Sequence, residues 1–220
     1  KHEKETRKQL NQTGIIAQIL AEPYPRNTAA AVIYAATYIS KLEEDCIMIM
    51  LPADHYIKNN NLFVEVLLKA IDQAKQGKLV SIGIKPTFPE TGYGYIKAEK
   101  SDKVILDVEK FVEKPDYDNA KKYVDDGNYY WNSGIFIWKI STIINCFRKL
   151  LPKHYNAFEK LRKLTINDIT NDSEKVWKIK SVIFEQLESI SIDYGIMENA
   201  DNRIVIPGQF GWADLGTWNA

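Results

Sequence analysis

Cys46-Ile-Met-Ile-Met-Leu-Pro-Ala-Asp-His55 decides the fold. Cys46–Leu51 is a continuous apolar run of strand length, expected where a strand is covered on both faces. Pro52 ends it and delivers a carboxylate, Asp54, just beyond the strand. Working outward, Thr28–Leu42 has helical spacing with small Ala positions, and Asn61–Gln76 carries Phe63, Val66, Leu67, Ala70 and Ile71 on one side before Gly77 stops it. Gly14–Leu20 and Leu79–Ile84 read as further buried strands. This strand–helix–strand–helix–strand rhythm predicts a parallel sheet with helices on both faces.

Beyond Ile84 the rhythm changes. Gly92–Glu99 and Val104–Glu113 read as strands with no helix between them, followed by a short helix near Asp118–Asp125 and a strand over Tyr130–Lys139. Helices over Ser141–Leu151, Ser173–Leu187 and Asp193–Asn199 and strands near Ile204–Pro207 and Phe210–Ala213 complete the expectation. The fold class is α/β, Rossmann-like, with a mixed, mostly parallel sheet. The 220 residues are 45% apolar and 26% charged, a globular composition suited to one domain over 1–220. Lys and Arg number 29 and Asp and Glu 29, so no excess charge favours nucleic acid or anionic membranes as partners. Cys46 and Cys146 lie in apolar runs and read as buried thiols of a reducing compartment, the cytoplasm. No run reaches the roughly 20 apolar residues of a membrane helix.

Ligands of open α/β sheets bind past the strand ends, where the chemistry-bearing residues collect. Asp54, after one strand, and Asp214, within Gly211-Trp-Ala-Asp-Leu-Gly-Thr-Trp218, could share one Mg²⁺ while leaving positions for phosphate and water. The alternative is two independent helix caps. His55 has no Cys or His neighbours at ligand spacing and reads as a packing or hydrogen-bonding residue. Glu113 and Lys114, in Phe111-Val-Glu-Lys-Pro115, suit a sugar hydroxyl and a phosphate, or else a surface ion pair. The glycines of Gly92-Tyr-Gly94 allow close backbone approach, or make a plain turn. Trp131-Asn-Ser-Gly134 offers an amide and a hydroxyl for polyol recognition, and Arg26-Asn-Thr28 opens a helix whose N-terminus suits an anion. Neither a P-loop nor a Gly-x-Gly-x-x-Gly turn is present, and no nucleophile with a supporting base is visible. The residues alone point to an α/β enzyme handling a phosphorylated, hydroxyl-rich ligand with Mg²⁺.

Seven segments together resemble the bacterial mannose-1-phosphate guanylyltransferases of the sugar nucleotidyltransferase fold. In order they are Ala21–Ala31, Leu51–His55, Ile82–Ile96, Phe111–Pro115, Trp131–Phe136, Ser191–Glu198 and Gly211–Trp218. The resemblance implies attack of mannose 1-phosphate on the α-phosphorus of GTP, giving GDP-mannose and pyrophosphate. It implies Asp54 and Asp214 on Mg²⁺ and Lys114 steadying the sugar phosphate. Glu113, Asn132 and Gly94 would read mannose, and Glu22, Arg26 and Asn27 would lie near guanine and ribose. A homodimer is compatible with this reading. The family's N-terminal Gly-rich phosphate loop and its C-terminal extension have no counterpart in the chain, and Ala30 replaces an expected proline, so a fragment of a longer protein is expected. A non-catalytic remnant or interaction module, and a nucleotidyltransferase for another hexose 1-phosphate, stand as alternatives.

Overall fold

The computed structural model describes residues 3–43, 45–101, 103–170 and 173–216. The chain begins with helix α1 (Glu3–Thr13), then α2 (Asn27–Ile39), β1 (Ile47–Met50), β2 (His55–Ile57), α3 (Asn60–Lys75) and β3 (Leu79–Ile84). Next come β4 (Tyr95–Ala98), β5 (Leu106–Val112), α4 (Tyr117–Asp126) and β6 (Tyr129–Lys139). Helices α5 (Ile140–Leu150), α6 (Pro152–Ala157), α7 (Glu159–Arg162), α8 (Ile166–Thr170) and α9 (Glu174–Gln186) follow. A π-helical turn over Asp193–Met197 leads to β7 (Arg203–Gly208) and β8 (Trp212–Asp214).

Alternation along the central strands builds a core on each sheet face. Phe136 and Trp138 of β6 point to one side with Leu79, where α2, α5 and α9 supply Ala29, Ala30, Ile143, Phe147 and Phe184. Ile135 and Ile137 point to the other with Val80 and Ile82, against Ala70 and Ala74 of α3. The small residues at 0% exposure let α2 and α3 approach closely. Asn59 caps α3 by accepting the Leu62 N–H, worth about 1 kcal/mol, and Gly77 ends it in a left-handed conformation at φ 82°.

The six-stranded sheet has the order β1-β6-β3-β7-β5-β4 and is mixed. Strands β1, β3, β4 and β7 run one way and β5 and β6 the other, so the common direction holds for most strands. Antiparallel β6 intervenes between β1 and β3, however, and β3–β7 is the one parallel pairing among the described residues. Two local expectations fail. Gly14–Leu20 forms no strand, and Ile16 is fully exposed, because an apolar run becomes a strand only where an edge pairs with it. The run Cys46–Leu51 becomes an edge strand rather than a covered one: β1 pairs only with β6, and Ile49 is 37% exposed.

The β6 strand organises the site. One of its edges carries β3, and the other is shared by β1 at residues 136–139 and β4 at 129–131. Where β1 stops and β4 begins, β6 bulges. Ser81 pairs with Phe136 but Gly83 with Asn132, which inserts two extra residues into β6. Gly134 takes a left-handed φ of 69°, and the Ser133 hydroxyl donates to Ile82 O at 2.7 Å and accepts Ile135 N–H at 3.3 Å. The Asn-Ser-Gly sequence is therefore a bulge that keeps its buried polar groups satisfied. The break it faces is the mouth of the site.

Candidate active site

Asp54 leaves the end of β1 into this break. It caps no helix, since β2 follows directly and α3 has its own cap. Strands β2 and β8 form a separate antiparallel ribbon, pairing His55 with Asp214 and Ile57 with Trp212. This ribbon joins two aspartates distant in sequence. Ligand atoms of Asp54, His55 and Asp214 all lie within 4.8 Å of one another. A Cβ on Gly216 would sit 2.9 Å from Asp214 Oδ1 and 3.0 Å from Asp54 Oδ2, so both carboxylates converge on that glycine. The Gly216 N–H donates to Asp214 Oδ1 at 2.8 Å, and Leu215 N–H to Asp54 O at 3.0 Å. One exposed and one half-buried carboxylate suit a hard cation that keeps several waters and phosphate oxygens, as Mg²⁺ does. Thr217 and Trp218 lie outside the described residues.

His55 serves this corner differently. Trp212 Nε1, which can only donate, reaches His55 Nδ1 at 3.0 Å. The neutral imidazole then carries its proton on Nε2 and has no lone pair left for a metal. Burial lowers the His55 pKa against the raising influence of Asp214 and Asp54. That leaves the carboxylates of Asp54 and Asp214 as the pair that could hold a cation, with His55 and Trp212 bracing the ribbon.

The second corner lies across the break. Val112 of β5 pairs with Tyr95 of β4, which carries Glu113 and Lys114 past the start of β4. Lys114 is bent into the left-handed region at φ 41°, a strain of about 1–3 kcal/mol for a non-glycine residue. Its ammonium lies 3.6 Å from Glu113 Oε1 and is 64% exposed. A Cβ on Gly94 would fall 2.8 Å from Glu113 Oε2, so glycine here admits the carboxylate, and Gly94 O accepts the Asn132 backbone N–H at 2.8 Å.

Asn132 Nδ2 donates to Asp193 Oδ1 at 2.6 Å, while its Oδ1 accepts Gly134 N–H at 3.1 Å. Burial raises the Glu113 pKa, reinforced by the Asp193 charge and eased by Lys114. Burial likewise raises Asp193, eased first by the Asn132 hydrogen bond. The structure therefore brings Gly94, Glu113, Lys114 and Asn132 together, with Asp193 beside them.

A row of aromatic rings links the two corners. Tyr93 packs edge-on against Trp131 at 5.4 Å and Trp212 at 5.3 Å, and Trp212 packs against His55 at 5.1 Å. Asp193, Tyr93, Trp212 and Gly216 escape reasoning from local spacing. The only sequence signal for them is their place inside the resembling segments.

The Arg26–Thr28 segment is anchored elsewhere. Arg26 donates to Phe184 O at 2.7 Å and Glu185 O at 2.8 Å, satisfying carbonyls at the C-terminus of α9. Asn27, at φ 62°, accepts Thr28 N–H, and Thr28 Oγ1 accepts Ile192 N–H at 2.8 Å. Glu22 lies in coil, its pKa raised by burial. These contacts tie Arg26 to α9, leave Asn27 exposed, and give neither residue a hydrogen bond to a residue of either corner.

Comparison with known proteins decides the family. The family model described as nucleotidyl transferase matches residues 1–220. The chain belongs to the nucleotidyl transferase family. It is 36% identical over 220 residues to the mannose-1-phosphate guanylyltransferase of Escherichia coli, covering 97% of this chain and 45% of that protein. It is 39% identical over 213 residues to the xanthan biosynthesis protein XanB of Xanthomonas campestris, covering 96% and 44%. A crystal structure described as mannose-1-phosphate geranyltransferase from Thermus thermophilus superposes with a TM-score of 0.81 at 35% identity, covering 97% of this chain and 59% of that one. Another, named mannose-6-phosphate isomerase from Helicobacter pylori, gives 0.79 at 26%, covering 97% and 81%. The chain spans less than half the length of the curated relatives it matches. As a nucleotidyl transferase chain it has the mixed α/β sheet expected of it. Among the described residues no helix is long and apolar enough to cross a membrane.

Proposed function

We propose that residues 1–220 form one nucleotidyltransferase domain that transfers GMP from GTP to mannose 1-phosphate, giving GDP-mannose and pyrophosphate with Mg²⁺. The observation that carries this reading is the pairing of a dicarboxylate corner, Asp54 and Asp214, with a polyol corner, Gly94, Glu113 and Asn132, across one break in the sheet edge. The name of the 36% identical mannose-1-phosphate guanylyltransferase of Escherichia coli supports the sugar and the base.

An oxygen of the sugar phosphate attacks the α-phosphorus. One P–O bond forms, and the bond to the pyrophosphate oxygen breaks with its electron pair. The nucleophile is already ionised near neutrality, because the second phosphate pKa is about 6, so no protein base is required. The lack of a nucleophile–base pair in the sequence fits this economy. Lys114 offsets repulsion between the two phosphate-bearing substrates, and Glu113 with Asn132 orients the hexose. Asp54 and Asp214 would hold Mg²⁺, which supplies charge neutralisation at phosphate oxygens when bound. For Glu22, Arg26 and Asn27 the proposal is limited to shaping the base side through the segment they anchor. Free Cys46 and Cys146 suit the cytoplasm as the place of reaction.

The test is pyrophosphate release from GTP and mannose 1-phosphate, with and without Mg²⁺. Metal-dependent release that falls when ATP, UTP or dTTP replaces GTP, or glucose 1-phosphate replaces the mannose compound, supports the reading. No release with any pair overturns it in favour of a non-catalytic interaction module.

A further inference from the structure

We infer that the cavity between helix α5 and the loop over 199–202 is a second ligand site, for a small phosphate ester that carries hydroxyls. Its walls share no residue with either corner of the candidate active site. The inference stands apart from the nucleotidyl-transfer reading and is tested without it.

Helix α5 supplies one wall. Thr142, Asn145, Cys146, Lys149 and Leu150 follow the spacing of a single helical stripe, and that stripe lines a cavity of about 320 Å³. The core face of α5 is a different one, made by Ile140, Ile143 and Phe147. The stripe at the cavity is thus a second face, polar where a core face would be apolar. Its volume is at the small end of ligand sites, about the room of ten water molecules. Among the described residues, the side chains of Thr142, Asn145, Lys149 and Asp201 form no hydrogen bond and no ion pair.

The two walls offer opposite chemistry. On α5 the Thr142 hydroxyl, the Asn145 amide and the Lys149 ammonium can all donate. Helical side chains lean toward the N-terminus, so Lys149 reaches back over Asn145, one turn away. Burial raises the Cys146 thiol pKa and the Lys149 charge eases it, which sets the ammonium near that thiol. Three donors on one stripe, one of them charged, match the three acceptor oxygens of a phosphate. The loop wall accepts instead. Asn199 Nδ2 is spent on Tyr194 O at 2.8 Å and Asn202 Nδ2 on Gly77 O at 2.6 Å, which leaves their Oδ1 atoms and the Asp201 carboxylate for hydroxyl donors. Cys146, Leu150 and Ala200 supply apolar surface for the carbon chain between.

The loop wall is also the tail of the π-helical turn. Asn199 holds Tyr194 O, and Ala200 N–H donates to Ile196 O at 2.9 Å. From β7, Arg203 fastens the same turn through Met197 O at 2.8 Å and Glu198 O at 2.7 Å. A ligand held against Asn199 and Asp201 restrains this loop and slows local opening of the turn before it. Occupancy of the cavity is thereby registered at Asp193, the first residue of the turn.

The probe is ribose 5-phosphate, and the readout is alkylation of Cys146 by N-ethylmaleimide, with Cys46, outside the cavity, as internal reference. Cys146 alkylation is expected to slow about tenfold when the probe stands at about ten times its Kd, with Cys46 unchanged. Ribose or inorganic phosphate at the same concentration protects less, because each satisfies one wall. Lys149→Met and Asp201→Ala, both at exposed positions, each weaken the probe about tenfold, the scale of one charged hydrogen bond, and leave the melting temperature unchanged. Hydrogen exchange at the amides of Gly195, Glu198 and Ala200 slows with ribose 5-phosphate and not with ribose. Absence of protection in the wild-type chain overturns the inference. So does protection that survives both substitutions, or protection by succinate as strong as that by ribose 5-phosphate. Protection lost in Asn132→Ala also overturns it, by placing the probe in the active-site corner. Exchange unslowed at the three amides overturns the link to the turn.

Discussion

Asp54 is exposed and Asp214 half-buried, at the ends of very short strands and beside aromatic rings, whereas Glu113 and Asp193 are both half-buried, one just past the end of β5 and the other at the start of the π-helical turn. The first corner keeps its charge in water and can hand it to a cation that remains partly hydrated. The second pays desolvation for each charge, a cost that hydroxyl donors of the proposed sugar would offset. In the proposed transfer between two anions the two corners would do different work: one would hold the cation that neutralises phosphate, and the other would orient a sugar that carries no charge on its ring.

That contrast breaks most visibly at the exposed corner. Asp54→Asn and Asp214→Asn are each expected to lower Mg²⁺-dependent pyrophosphate release by about a thousandfold, because phosphate charge loses its counter-ion. Near-normal rates in both variants would remove the metal assignment. Glycine placement sharpens the comparison next. Gly94→Ala drives a methyl group into Glu113 and should weaken sugar-phosphate binding by about 10- to 100-fold with metal affinity intact. Gly216→Ala presses on both aspartates and should do the reverse, as read by Mn²⁺ binding in solution. Equal loss of both affinities in either variant would mean that the corners are not separable.

A smaller effect tests the brace between them. Trp212→Phe keeps the ring but removes the N–H that holds His55 Nδ1. Mn²⁺ affinity should fall by about three- to tenfold, the worth of one hydrogen bond, with unchanged binding of mannose 1-phosphate. Tighter metal binding would instead show that the freed imidazole becomes a ligand. The smallest effect is on pH. Asp193 has its folded pKa raised, so its cost to stability is absent below the unfolded value near 3.8 and grows as pH rises to the folded one. Glu113 and Glu198 face the same pocket with the same sign, and Lys114 opposes them. The melting-temperature difference between Asp193→Asn and wild type should be more positive at pH 7 than at pH 4. An opposite trend would mean that the Asn132 hydrogen bond outweighs burial.

Legibility in the sequence followed burial. Leu79–Ile84 was readable residue for residue because it is covered on both faces and bounded by Gly77 and Pro86. The β6 strand was readable to within one residue for the same reason. Helix α1 left no trace because Glu-Lys-Glu-Thr-Arg-Lys-Gln has no apolar stripe, and none of its residues is buried. The β2–β8 ribbon is too short for a periodic pattern, so nothing local could show that His55 and Asp214 are neighbours. Asp54 and Asp214 were therefore visible as carboxylates after strands, yet their meeting was not. Lys114 and Gly94 were likewise visible as types, while the left-handed bend and the carboxylate pressed against the glycine depend on the partner strand.

The bulge in β6 also limits how this chain can change length. Loops elsewhere could lengthen at the modest entropic cost of a longer closure, but the stretch from Asn132 to Phe136 has no such freedom.

 Insertion or deletion of one residue there would leave Asn132 facing the site but move Phe136 and Trp138 to the face of α3, and Ile135 and Ile137 to the face of α2. Substrate preference in such a chain is therefore open to revision by exchanging side chains around the mouth, and closed to revision by resizing the strand that frames it.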